Sequence, residues 1–252
     1  MSDKTTCELP FDIAIVGLGI VGVHHMTREV SEVISRCSRT LIIDSGFGSK
    51  EYIGRMCPEI RVMNDLYRPG HDRLPTYREM TTEVVASALA QPPVCFASYG
   101  HPQLYCFPTT LIKQMANILG LTVRVFPGVS SLDTLMVDLD LDPGRDGLQI
   151  YDASDLLYRK IAIRPDVACV LLQASAVMDA TYNPDLRSES DYKPLQDHLL
   201  QFYDAEHIVT SVVSKTFPIG NPRVERFQVG ELASQLSKGA AWGTLLIKPT
   251  RR

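Results

Sequence analysis

A chain of 252 residues with 45% hydrophobic composition and a mean hydropathy near zero can bury a sizeable core, and at this length one core commonly divides into two. Its 25 basic and 29 acidic residues leave a formal charge of -4, which argues against nucleic acid as the main partner. The amino-terminal MSDKTTCELP lacks the apolar core of a signal peptide and no run approaches a membrane span, so a cytoplasmic protein with no membrane contact is expected.

Residues 12–16 (DIAIV) read as a β-branched strand that runs into Gly17-Leu18-Gly19-Ile20-Val21-Gly22. A helical stretch follows, with Met26, Val30, Val33 and Ile34 at helical spacing, then a second strand at 41–43 closed by Asp44. A GxGxxG between strand and helix, with an acid 22 residues after its last glycine, is the dinucleotide fingerprint, so an NAD-dependent oxidoreductase is a competing reading. Two features weaken it. His24 and His25 stand in the first helical turn, where a positive dipole end gains nothing from them, and no later segment reads as a hydride-transfer site.

Residues 59–64 can form a third strand, followed by a polar, proline-containing loop at 65–75. Thr76 and Glu79 fit a capping box opening a helix whose Met80, Val84, Ala88 and Leu89 share one face. Tyr67, Arg73 and Tyr77 are thereby gathered near the helix mouth. Two phenols beside a guanidinium can serve as an acid/base pair, because a fixed positive charge lowers a phenol's pKa from about 10 and stabilises a developing oxyanion. The same residues would also fit a solvated loop with a surface arginine and two packed tyrosines.

Residues 94–98 (VCFAS) read as a buried central strand that breaks into Tyr99-Gly100-His101-Pro102. Such a break delivers a loop to the carboxyl edge of an α/β sheet, where ligands of open sheets sit. Leu111, Met115, Ile118 and Leu119 mark a helix ended by Gly120, and 121–126 is the next strand. It runs into Pro127-Gly128-Val129-Ser130-Ser131, where Ser131 can cap a helix with Leu132, Leu135, Met136 and Leu139 inward. We place the domain boundary there, giving domains 1–126 and 127–252.

The second half repeats the alternation. Strands are expected at 148–151, 167–173, 207–213, 223–229 and 244–248, with helices around 154–158 and at 194–203, the latter with Leu195, Leu199 and Phe202 inward. Short turns between several of them imply a mixed second sheet. Asp138, Asp140 and Asp142 alternate as in a metal loop, but the glycine and glutamate of an EF-hand are out of register, so no metal site is expected. Cys7, Cys37, Cys57, Cys95, Cys106 and Cys169 show no CxxC and read as free thiols.

YGHP at 99–102, PGVSS at 127–131 and the Gly17 turn together resemble the tetrapyrrole (corrin/porphyrin) methylase superfamily, the class III S-adenosylmethionine-dependent methyltransferases. Within it, the chain is most similar to the borosin-type peptide backbone α-N-methyltransferases, on YGHP in place of GDP, PGVSSLDTLMVDLDLDPGRDGLQIYDAS at 127–154, LLQA at 171–174, PRVERF at 222–227 and GTLLIKP at 243–249. The resemblance implies two α/β domains with the cofactor, S-adenosyl-L-methionine, in the cleft between them. It implies a catalytic set of Tyr67, Arg73 and Tyr77, and cofactor contacts at Gly17, Gly19, Tyr99, His101, Ser130, Gln173, Ala174, Gly243 and Thr244. Tyr99 and His101 are also candidates for substrate contact, although His101 can equally shape its Gly-His-Pro turn, and Tyr105 is expected to pack. Fused borosins carry their core peptide after the methyltransferase, whereas this chain stops at Arg252, so a separate precursor peptide and a likeness to the split bacterial type are expected. Homodimerisation is implied by the family alone. A small-molecule or tetrapyrrole methyltransferase of the same superfamily is the alternative.

Overall fold

A computed structural model describes residues 10–44, 46 and 48–250; most of the polar amino terminus, with Cys7, lies outside the described residues. The chain divides into two compact units. The first comprises the described residues up to Arg68, Asp72–Ser131 and Thr216–Pro218; the second comprises Pro69–His71, Leu132–Lys215 and the described residues from Ile219 onward.

The first unit alternates β1 (Ile13–Gly17), α1 (Arg28–Ile34), β2 (Arg39–Ile43), α2 (Ser49–Ile53), β3 (Ile60–Val62), α3 (Arg73–Ala90), β4 (Val94–Ser98), α4 (Phe107–Ile118) and β5 (Val123–Phe126). The sheet is parallel throughout, in the order β3-β2-β4-β1-β5. Its inner strands are apolar apart from Arg39, Thr40 and Ser98, because both faces are covered. Ala14, Val16, Ile42, Cys95 and Ala97 pack against Val30, Ile34 and Ile53 on one side. Ile13, Ile15, Leu41, Ile43, Val94 and Phe96 pack against Met80, Val84, Ile112 and Ala116 of α3 and α4 on the other. The period of two in the strands therefore decides which side chains meet which helices.

Two helix readings and one strand reading change. The long helix opens at Arg73, because Asp72 caps it by accepting a 2.8 Å hydrogen bond from Leu74 N–H. Thr76 lies inside it, buried, its hydroxyl donating to Leu66 O at 3.3 Å; Pro75 is tolerated within the first turn, where intrahelical donors are unused anyway. On α4, the buried face is Pro108, Thr109, Ile112 and Ala116. Small side chains there lie against the sheet and α3, and Met115, Ile118 and Leu119 are exposed, as is Leu89 of α3. The third strand is only Ile60–Val62, shorter than its apolar run.

The second unit contains α5 (Ser131–Leu139), α6 (Pro143–Asp146), β6 (Gln149–Asp152), α7 (Ala153–Tyr158), β7 (Cys169–Leu172), α8 (Glu189–Leu199), β8 (Ile208–Val213), β9 (Arg223–Gln228), α9 (Leu232–Ser237) and β10 (Thr244–Ile247). Its sheet is mixed, ordered β6-β7-β10-β8-β9, with β6 and β7 parallel and the other pairs antiparallel. Pro194 falls inside α8, which starts earlier at a Ser188–Asp191 capping box. Asp142 caps α6 by accepting from Gly144 N–H at 2.8 Å, and among the described residues no three ligating groups gather for a metal. Leu135 is the one buried residue of α5; Val137 on its far side is exposed. Cys37, Cys57, Cys95, Cys106 and Cys169 are free thiols. Burial pushes the Cys95 thiol well up, with Cys37 adding to the rise, and lifts Cys169 to about 12, which leaves both inert. No helix among the described residues is long and apolar enough to cross a membrane.

Candidate functional site

At the carboxyl edge of the first sheet, the loops after β1, β4 and β5 meet at three glycines. A Cβ on Gly17 would stand 2.5 Å from Gly100 O and 2.8 Å from Gly128 Cα, and one on Gly128 would stand 2.6 Å from both Gly100 O and Gly17 O. Backbone-to-backbone contact this close excludes any other residue. Gly19 and Gly100 exchange hydrogen bonds, Gly19 N to Gly100 O at 3.2 Å and Gly100 N to Gly19 O at 2.9 Å, with positive φ at both. His25 Nδ1 accepts from the N–H groups of Ile20 and Val21 at 3.3 Å each, so this histidine closes the turn. The helix that a dinucleotide fingerprint needs directly after Gly22 is only a short 3-10 turn, Gly22–His24, and α1 begins at Arg28 behind its Thr27 cap. The glycines therefore serve contact between loops, and the fingerprint's phosphate-binding helix end is missing from its place.

Tyr67, Arg73 and Tyr77 come together on the α3–α4 side of this edge. Capping by Asp72 sets Arg73 at the first position of α3, and Tyr77 lies one turn further on the same face. Tyr67 follows a 3-10 turn (Asn64–Leu66) that Arg61 ties down, its guanidinium pairing with Asp65 at 2.8 Å and Glu83 of α3 at 2.9 Å. The Tyr67 and Tyr77 rings meet edge-on at 6.3 Å, and Phe107 lies 6.1 Å from Tyr77. The Tyr67 and Tyr77 hydroxyls share a hydrogen bond, one that favours ionisation at Tyr77 over Tyr67, and Arg73 donates another to the Tyr77 oxygen.

The electrostatics separate the two phenols. Burial pushes Tyr67 far above the ordinary phenol range, and the neighbouring Tyr77, Tyr99 and Cys106 push further. Burial also raises Tyr77, but the Arg73 charge and the Tyr67 hydrogen bond pull it down, so Tyr77 is the more readily ionised of the pair. Arg73 thus lowers the Tyr77 phenol as a fixed positive charge is expected to, and desolvation outweighs it. Tyr99 is 57% exposed, so solvent offsets part of the rise that desolvation, Cys106 and Tyr77 impose on its hydroxyl against the pull of Arg73. His101 is half-buried and its Nδ1 accepts from Gln103 N–H at 3.2 Å, a bond that shapes the turn. Ser130 is buried at the end of the β5 loop. Tyr105, expected to pack, is exposed at a positive φ of 53°.

Gln173, Ala174, Gly243 and Thr244 belong to the second unit. Gln173 follows β7 with φ 57°, a left-handed conformation unusual for a residue with a side chain, and Ala174 behind it is fully buried. A Cβ on Gly243 would overlap Ser211 Oγ and stand 2.9 Å from the Val212 backbone, and Thr244 pairs with Val212 in the sheet. Arg187, which sequence reasoning passed over, fixes the segment after Gln173 by donating to Val177 O at 2.7 Å. Cys106, Phe107 and Arg61 were likewise passed over. None of these carries a spacing signal, because each acts through tertiary packing, Arg187 within the second unit and the other three within the first.

A profile of the family described as "Tetrapyrrole (Corrin/Porphyrin) Methylases" matches residues 12–215. Among curated proteins, the chain is 26% identical over 230 residues to the methyltransferase/ribosomally synthesized cyclic peptide dendrothelin A precursor of Dendrothele bispora, covering 91% of this chain and 55% of that protein. It is 28% identical over 220 residues to the corresponding omphalotin A precursor of Omphalotus olearius, covering 87% and 53%. The chain thus spans about half the length of the curated relatives it matches. Among solved structures, uroporphyrin-III-C-methyltransferase from Thermus thermophilus superposes with a TM-score of 0.66 at 17% identity, covering 94% of this chain and 91% of that one. The methyltransferase CobJ superposes with a TM-score of 0.63 at 16% identity, covering 95% of each. With its fold shared by these methyltransferases and most of its length matched by the family profile, the chain belongs to the tetrapyrrole (corrin/porphyrin) methylases.

Proposed function

We propose that the protein is an S-adenosylmethionine-dependent methyltransferase that methylates backbone amide nitrogens of a separate ribosomal precursor peptide. The observation that carries this reading is the pairing of Tyr67 with Tyr77 beside Arg73 at the carboxyl edge of a methylase-family sheet. Similarity to precursors whose methyltransferase and peptide are one chain supports the peptide as substrate class.

An amide nitrogen is a poor nucleophile because its lone pair is delocalised into the carbonyl, so the enzyme must remove the N–H proton as the new bond forms. Tyr77 acts as the base in this proposal. Its phenolate is stabilised by the Arg73 charge and by the hydrogen bond from Tyr67, against the cost of burial. Arg73 carries five donors, enough to serve Tyr77 and also the carbonyl oxygen that gains charge as the proton leaves. The bound cofactor would supply the methyl group from its sulfonium. By the family resemblance, Gly17 and Gly19 of the first unit, and Gln173 and Gly243 of the second, belong to the proposed cofactor set, and Gln173 holds a left-handed backbone conformation with φ 57°. Ser130, Ala174 and Thr244 complete the proposed cofactor set, with Tyr99 and His101 reaching cofactor or peptide. A homodimer working in the cytoplasm, with domains at 1–126 and 127–252, belongs to the same proposal.

The test is incubation with S-adenosylmethionine and a candidate precursor peptide, read by intact mass and fragmentation. Methyl-sized additions on backbone amides are the expected result. Measured cofactor binding with no peptide addition would overturn the substrate assignment. A tetrapyrrole substrate is the second reading, favoured by the fold likeness to uroporphyrin-III-C-methyltransferase, and incubation with a precorrin tests it in parallel. A Thermus thermophilus structure of that name, bound to S-adenyl homocysteine, superposes at a TM-score of 0.62 and 16% identity, which supports the choice of cofactor.

A further inference from the structure

Two hydroxyls of the first unit have no part in the chemistry above. Ser98 ends β4 and Thr109 stands in the first turn of α4; each is 2% exposed, and neither has a hydrogen-bond partner among the described residues. A buried hydroxyl left unpaired is destabilising, so two near one cluster call for a physical account.

Their placement supplies it. Strand alternation puts Ser98 on the face of β4 that carries Val94 and Phe96, and that face packs into the cluster holding Tyr67, Tyr77 and Cys106. In register, Ser98 lies between Gly17 and Ile43, and the backbone of Gly100 and Gly128 fills the place a Gly17 side chain would take. Helical spacing puts Thr109 on one face with Ile112 and Ala116, which belong to the same cluster, and its N–H donates to Cys106 O at 3.1 Å. The chain neighbours of the two hydroxyls also reach the phenols: Tyr99 and Cys106 electrostatically, Phe107 by ring contact. The two hydroxyls thus stand on the faces of β4 and α4 that pack into the cluster holding the phenol pair.

We propose that Ser98 and Thr109 are positioning residues for the base: together they hold one water that donates to the Tyr67 oxygen and completes a hydrogen-bonded chain ending at Tyr77. A water needs two to four polar partners, and two hydroxyls with one phenol supply three. A donor on the Tyr67 oxygen polarises its O–H, so Tyr67 donates more strongly to Tyr77 and favours the phenolate there. This inference rests on Tyr77 being the base, but its test does not use turnover.

The experiment is a pH titration of ring-labelled tyrosine by NMR in the full chain, with Tyr67 and Tyr77 assigned from their Tyr→Phe variants. In Ser98→Ala/Thr109→Val, the Tyr77 midpoint is expected to rise by about half a unit, roughly a threefold loss of phenolate at a given pH. Thr109→Ser should restore it. Ser49→Ala, which removes a buried unpaired hydroxyl from α2, should leave it unmoved. An unchanged Tyr77 midpoint in the double variant overturns the proposal, as does an equal shift in Ser49→Ala. Should the double variant fail to fold, Thr109→Val against Thr109→Ser decides by the same readout. A shifted midpoint in a protein that methylates no peptide would sustain the hydrogen-bonded chain and sink the substrate reading alone.

Discussion

Replacing Arg73 separates charge from geometry at the centre of the proposed mechanism. An opposite charge within about 4–6 Å lowers a pKa by roughly 1–3 units, each worth about tenfold in the ionised fraction. After burial, Arg73 is the largest influence on Tyr77, so Arg73→Met should cut the Tyr77 phenolate, and with it the single-turnover rate, by about 10- to 1000-fold at a fixed pH. Arg73→Lys keeps the charge but loses the planar fork, and a weakened charge-assisted hydrogen bond of about 1.5 kcal/mol implies roughly a tenfold fall. The pH profile carries the sign. Because the Tyr77 pKa lies above its ordinary value, the base form is scarce near neutrality, and the rate should climb about tenfold per unit from pH 7 toward 10. In Arg73→Met the same climb should be displaced to higher pH. Cofactor affinity, measured by calorimetry, should stay within about twofold. A wild-type rate for Arg73→Met across the whole pH range would refute the reasoning.

Tyr77→Phe should lower the rate by about 10²- to 10⁴-fold, the usual worth of a positioned base, whereas Tyr67→Phe, which removes a donor to that base, should cost about tenfold; equal losses would refute the assignment of roles. Gly17→Ala forces a methyl group to within 2.5 Å of Gly100 O, and the overpacking should cost about 1–3 kcal/mol, read as a drop in chemical-denaturation stability. Asp72→Ala removes the cap of α3 at about 1 kcal/mol and should lower the melting temperature by roughly 2–4 °C, with Asp72→Asn largely sparing it. Asp12 accepts from Thr122 N–H and Oγ1–H at 2.7 Å each, and these bonds hold its carboxyl below the ordinary range. Its stabilisation is therefore present above the unfolded carboxyl value and lost as pH falls through the folded one, so the deficit of Asp12→Asn at pH 7 should shrink under acid unfolding conditions.

The two-sheet α/β architecture was legible because buried parallel strands are continuous apolar runs and their ends are marked by Gly and Pro. DIAIV, VCFAS and the YGHP break are placed by local chemistry alone, and strand register then follows from the buried faces. The face of α4 was not legible. Its larger apolar residues, Met115 and Ile118, make the better helical stripe on paper, but close packing against the sheet selects Thr109, Ile112 and Ala116. The start of α3 was misjudged for a similar reason, since Thr76 and Glu79 match a capping box by type while Asp72 wins by position. Within the candidate site, the tyrosine and arginine spacing pointed to the cluster, yet the contributions of Cys106, Phe107 and Arg61 depend on contacts between elements far apart in sequence.

The crowding of Gly17, Gly100 and Gly128 binds three connections into one mechanical piece. A graft that exchanges the turn after β1 for that of a distant relative imports a backbone path that fits only the matching turns after β4 and β5. Loop transplants in this edge of the sheet must therefore travel in threes, and a library that randomises one of them alone will return mostly misassembled proteins.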